Sequence, residues 1–166
     1  MNDHLFPAVL GKLTFGEAVW LFPAAFTLHV LEEWPRFTAW ANRYASQGYT
    51  RHEYVMIHLA GILASVVSAA LMWRFPYRAL VFVFFALVFT PSVFWNAIFH
   101  AGATVVFRVY CPGVMTAVGV YPVLFYVVSR GAYREGLLSS GGWVAALVIA
   151  GVFHAWEVGH NVFKVW

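Results

Sequence analysis

The chain has 166 residues, of which 62% are hydrophobic and only 10% are charged, and its mean hydropathy is +0.73. A soluble domain carries about 25% charged residues because its surface must face water, so this composition excludes an ordinary water-soluble fold. The net charge of +3 is small and forms no basic run, which excludes a nucleic-acid-binding role, and a lone cysteine, Cys111, excludes an internal disulfide.

Apolar runs long enough to cross about 30 Å of hydrocarbon occur at about five places. The first runs from Gly16 to Trp34, and the residues before it, including Asp3 and His4, do not read as a cleavable leader. A polar segment over residues 35–53 follows, which the sequence reads as an extramembrane loop or a short interfacial helix. The second run covers Tyr54 to Trp73 and the third Ala79 to His100, separated by Arg74-Phe75-Pro76-Tyr77-Arg78. The fourth covers Val114 to Ser129, after the break at Cys111-Pro112-Gly113. The fifth covers Trp143 to Phe163, after the Ser139-Ser140-Gly141-Gly142 stretch. Gly61, Ala64, Ser65 and Ser68 offer the second run a close-approach face of small residues. The expected fold is all-α, a polytopic integral membrane bundle of about five transmembrane helices forming one domain over residues 1–166.

Alternating passes through a bilayer put the polar residues in one half of it. His29, Glu32 and Glu33 end the first run, His58 lies one turn into the second, and Asn96 and His100 close the third. His154, Glu157 and His160 fall in the last half of the fifth. The opposite halves of these runs carry little that ionises beyond Glu17, while His4 and His52 read as surface residues. His29, Glu32 and Glu33 stand at i, i+3 and i+4, and His154 and Glu157 at i, i+3, so each set shares a helix side. Ionisable groups in a span are costly and turn inward toward one another or a cofactor. Two adjacent carboxylates need a compensating cation, either a metal ion, Arg36 or Arg108. The bland alternative is an interfacial helix end whose carboxylates face water and pair with Arg36. Tyr110-Cys111-Pro112-Gly113 reads as a turn, or as a turn that holds the Tyr110 hydroxyl over a site.

His29-Val30-Leu31-Glu32-Glu33 is an H-x-x-E-E motif, and it is followed by a membrane-embedded His100 and by the Y-x-P-G motif of Tyr110 to Gly113. In that order these features resemble the HXXEE domain family of small, membrane-associated bacterial proteins, from about Phe15 to beyond Tyr121. The resemblance implies a bacterial inner-membrane protein and singles out His29, Glu32, Glu33, His100, Tyr110, Pro112 and Gly113, but it implies no activity. His58, His154 and Glu157 rest on the topology alone.

The expectation drawn from these residues is a membrane-embedded metal-dependent enzyme, a hydrolase acting on a membrane lipid or another lipophilic molecule. His29, Glu32, Glu33, His58, His100, His154 and Glu157 are the candidate ligands for one or two zinc or iron ions. Glu32, Glu33 and Tyr110 are the candidate catalytic groups. The alternatives are a di-iron oxidoreductase of the hydroxylase or desaturase type, and a non-enzymatic lipid-, pigment- or metal-binding protein; a homo-oligomer is compatible with each. Five basic residues on either side tie the charge count, and the clustering of Arg74, Arg78, Arg130 and Arg134 in short loops favours a cytoplasmic placement for that side.

Overall fold

The computed structural model describes residues 12–165, and among these every regular element is helical. A four-residue helix α1 (Phe15–Ala18) leads through a turn at Val19 and Trp20 into α2 (Leu21–Glu33). The amphipathic α3 (Phe37–Tyr44) and the long α4 (Arg51–Arg74) follow. Next come α5 (Arg78–Phe107), the short α6 (Val114–Gly119), α7 (Tyr121–Arg134) and α8 (Ser140–Phe163).

Three of these helices, α4, α5 and α8, are long and apolar enough to cross a membrane, with 24, 30 and 24 residues. At 1.5 Å per residue they reach about 36 Å or more. Much of their surface is apolar and exposed, including Leu63, Val105 and Val152, as a lipid-facing wall requires. The first and fourth expected spans are each broken into two helices. α2 keeps 13 residues and α7 keeps 14, about 20 Å apiece. The turn at Val19 and Trp20 divides the first, and Val120, just before Pro122, divides the other.

Local chemistry fixes several boundaries. Thr14 with Glu17, and Thr50 with Glu53, form reciprocal capping boxes at the starts of α1 and α4. Glu17, the ionisable residue far from the site, is thereby a capping group. In α5, Pro91 supplies no N–H to the ladder, and the turns widen over Phe85–Phe89 and Pro91–Trp95 before regular helix resumes at Asn96. α8 packs along this widened stretch, and its own last turn, Gly159–Phe163, is widened too.

Two apolar clusters result. One, at the end holding α1, includes Phe15, Phe22, Phe85, Phe89, Tyr121 and Val128. The other joins Phe37, Trp40, Tyr49, Tyr54, Cys111 and Val162. Residues 35–53 contribute α3 and a loop to this second cluster, so the polar segment folds down over the bundle end. The Ser46 hydroxyl ties it there by donating to the Val162 carbonyl, and Asn42 ties its loop to α3: its amide donates to the carbonyls of Thr38 and Tyr49 and accepts from the N–H groups of Gly48 and Tyr49.

Candidate functional site

Glu33 lies between the two clusters and is only 3% exposed. It stands one turn after His29 on α2, so both face the same way. Its Oε1 is 3.1 Å from Nε2 of His100 on α5 and 3.5 Å from Nε2 of His29. Its Oε2 is 2.9 Å from Nε2 of His58 on α4 and accepts a hydrogen bond of 3.2 Å from the Tyr54 hydroxyl. Three imidazoles from three helices therefore present the same ring nitrogen to one buried carboxylate. Among the described residues neither Glu32 nor Glu33 forms an ion pair with Arg36, and the burial of Glu33 sets aside a water-facing helix end for this residue.

The other ring nitrogens show where the protons sit. Nδ1 of His58 is 2.7 Å from the Tyr54 carbonyl, which can only accept, so Nδ1 carries the proton. Nδ1 of His29 is 2.7 Å from the Thr116 hydroxyl. That hydroxyl gives its single proton to Glu32 Oε2 at 2.6 Å and so accepts from His29. In its neutral form His58 then aims its Nε2 lone pair at Glu33 Oε2, whereas Nε2 of His29 takes the Asn96 amide proton at 2.9 Å and stands further from Glu33. Lone pair against carboxylate is repulsive, and a cation between them, whether a proton or a metal ion, removes the conflict.

Glu32 takes a different direction, about 100° around α2 from Glu33. Its Oε2 also accepts from the Thr116 N–H, and its Oε1 accepts from the Met115 N–H and the Tyr110 hydroxyl. The structure thus places Glu32 behind His29, bonded through Thr116, with its oxygens filled by the start of α6 and by Tyr110. The Y-x-P-G segment is the roof. Gly113 has φ +98°, and a Cβ there would fall 2.7 Å from His29 Cε1, 2.8 Å from His100 Cε1 and 3.0 Å from Glu33 Cγ. Only glycine fits, both for backbone and for space. Cys111 Sγ lies 3.3 Å from Nδ1 of His100, and burial pushes its thiol up to about 12, which keeps it protonated.

Across from Glu33 a cavity of about 130 Å³ opens between α2, α4, α5 and α8. His29, Glu33, His58 and His100 line one wall; His154, Glu157 and Asn161 line another. His154 is 3.7 Å from Glu157, beyond hydrogen-bond reach, and neither of its ring nitrogens has a hydrogen-bond partner. His160 stacks on Trp156 away from the cavity, His52 is exposed, and His4 lies outside the described residues. Several contributors carry no ligand-like signal in the sequence. Thr116, Tyr54 and Cys111 belong to this group, although Tyr54 stands one turn before His58 and Thr116 three residues after Gly113.

The donor set suits a metal. The ligand atoms of His29, Glu33 and His100 lie within 4.8 Å of one another. Atoms around a tetrahedral zinc with bonds of about 2.0 Å stand about 3.3 Å apart, and the observed 3.1 and 3.5 Å bracket that value. His58 offers a further nitrogen on the second oxygen. The Asn96 amide donates to His29 Nε2 at 2.9 Å, so it would turn aside for an ion.

Fold and site together define a helical bundle with three membrane-length helices and a buried carboxylate–imidazole centre roofed by a Tyr-x-Pro-Gly turn. The chain belongs to the family described as "Protein of unknown function with HXXEE motif", whose profile matches residues 20–127. That stretch contains His29, Glu32, Glu33, His58, His100 and the roof, and stops short of His154 and Glu157. No curated protein and no solved structure matches the chain.

Proposed function

We propose that the chain is a membrane-embedded metal-dependent enzyme, a hydrolase acting on a lipophilic substrate from one leaflet of a bacterial cell membrane. The observation that carries this reading is the convergence of three Nε2 atoms, from His29, His58 and His100, on buried Glu33, with the Nδ1 proton of His58 committed to the Tyr54 carbonyl. No lysine or arginine lines the cavity to balance that carboxylate. A zinc or iron ion would supply the missing charge, lower the pKa of a bound water to about 7 and polarise a carbonyl.

In this reading His29, Glu33 and His100 hold the ion, with His58 completing the set. Glu32 acts through Thr116, fixing the tautomer and ring angle of His29 as carboxylate partners of metal-bound histidines do. Proton transfer then falls to Glu157, which lines the same cavity at its more exposed wall, with a side chain 37% exposed. A two-metal oxidoreductase is the second reading, favoured by the fact that His154 and Glu157 face the same cavity as the first donor set.

Elemental analysis of detergent-purified protein tests both readings. Wild type is expected to hold a stoichiometric transition metal, and Glu33→Gln and His100→Ala to lose it. One zinc supports hydrolysis and two irons support oxidation. Absence of metal from folded wild type, even after incubation with zinc and ferrous iron, overturns the proposal and leaves a proton as the cation at Glu33.

A further inference from the structure

Where α8 crosses α5, two concavities share a wall. One is the polar cavity beside Glu33. The other is an apolar groove of about 480 Å³ on the outer face, lined by Trp95, Ile98, Gly151, Ala155 and Gly159. Phe99, His154 and Val158 line both. The groove runs over two helices of membrane-spanning length and hydropathy, so its open side meets hydrocarbon. Its floor is fixed: a Cβ at Gly151 would fall 2.9 Å from the Trp95 ring, and the Trp95 indole donates to the Leu147 carbonyl at 3.0 Å.

His154 stands in the shared wall. It is 9% exposed, and neither ring nitrogen meets a hydrogen-bond partner. A buried polar group left this way is uncommon and points to a ligand atom that completes it. Neither lining contains lysine or arginine, so a phosphate or carboxylate head would enter with no protein cation to receive it. The cavity has room for about four waters' worth of polar group.

We propose that a single-chain amphiphile with an uncharged polar end, a hydroxyl or carbonyl, enters sideways from the bilayer, lays its chain in the groove and passes its polar end to His154, in the wall that the groove shares with the Glu33 cavity. What happens to that polar end rests on the enzymatic reading above; the binding itself does not. His154 donates from one ring nitrogen or accepts at the other, so it serves either head group.

The test uses the full chain in phosphatidylcholine nanodiscs with two photoreactive probes, hexadecanol and hexadecane, each carrying a diazirine at mid-chain. Crosslinks in wild type are expected at Ile98 and Ala155, with the alcohol labelling about fivefold more than the alkane, as one added hydrogen bond allows. Ala155→Trp, a change at an exposed groove position, should cut groove labelling about tenfold. His154→Leu should abolish the preference for the alcohol, and His154→Gln should restore part of it. Metal content measured on the same preparations reports folding and separates the two ideas. Groove labelling with no metal overturns only the enzymatic reading. Metal bound with labelling spread evenly over all lipid-facing helices, or an alcohol preference that survives in His154→Leu, overturns the lateral entry route.

Discussion

Thr116 shows how much a single hydroxyl can carry when its one proton is committed. It accepts a hydrogen bond from the His29 Nδ1–H and donates one to Glu32, so a chain of hydrogen bonds runs from Glu32 through Thr116 to His29, whose other nitrogen faces Glu33. Replacing it with valine keeps the shape and deletes the link. If the centre holds a metal as proposed, Thr116→Val is expected to weaken its binding about 10- to 100-fold while Thr116→Ser stays near wild type, read by competition with a chelator. Cys111 makes a simpler prediction. With its thiol at about 12, only about one molecule in ten thousand is thiolate at pH 8. Iodoacetamide should leave the folded protein unmodified and label it fully after denaturation. Part of this was legible in the sequence. The four-residue spacing of His29 and Glu33 put them on one face, and the one-sided clustering of His58 and His100 brought them near. The divergence of Glu32 also follows from its 100° offset, yet its destination does not, because Thr116 and the Met115 N–H reach it only once the chain has folded back.

At the scale of elements, hydropathy located α4, α5 and α8 within a few residues, except that α5 runs on to Phe107, past its expected end at His100. It did not show the turn at Val19 and Trp20 or the break at Val120, since both segments remain apolar where they bend. The polar stretch over residues 35–53 holds the short helix α3 and a closing loop before α4 begins. What the polarity concealed is that Phe37 and Tyr49 from this stretch line the cavity. Three of the four Asn42 hydrogen bonds reach Gly48 and Tyr49 of the closing loop, and the fourth goes back to Thr38 in α3. Asn42→Ala should therefore destabilise that loop by about 1–3 kcal/mol, because the backbone N–H and carbonyl of buried Tyr49 lose their partner. Hydrogen exchange should rise at Gly48 and Tyr49 while the amides of α4 stay protected.

On the scale of the whole molecule, the polar chemistry sits at one end of the bundle and an aromatic cluster fills the other. The Ser46 hydroxyl bonds the Val162 carbonyl, which ties the closing loop to the far end of α8. Ser140 begins that helix, 24 residues away by its length, or about 36 Å. Gln47 and Ser140 should then lie on opposite sides of the membrane. A membrane-impermeant maleimide added to intact cells should label Gln47→Cys and spare Ser140→Cys, with buried Cys111 silent in both. That pattern follows from the arginines flanking the short loops of the Ser140 side, which favour the cytoplasm. Labelling of Ser140→Cys alone would place the site on the inner face.

The roof also has a consequence for biogenesis. Glu32 takes hydrogen bonds from Thr116, 84 residues further along the chain, and Gly113 closes over His29 and His100 only when that segment arrives. During synthesis α2, α4 and all of α5 are made before any of it exists. A nascent chain stopped at Phe107 would carry its histidines and carboxylates without the turn that orients them. The carboxylate–imidazole centre is therefore completed late, once residues 110–116 have been made and folded back over α2 and α5.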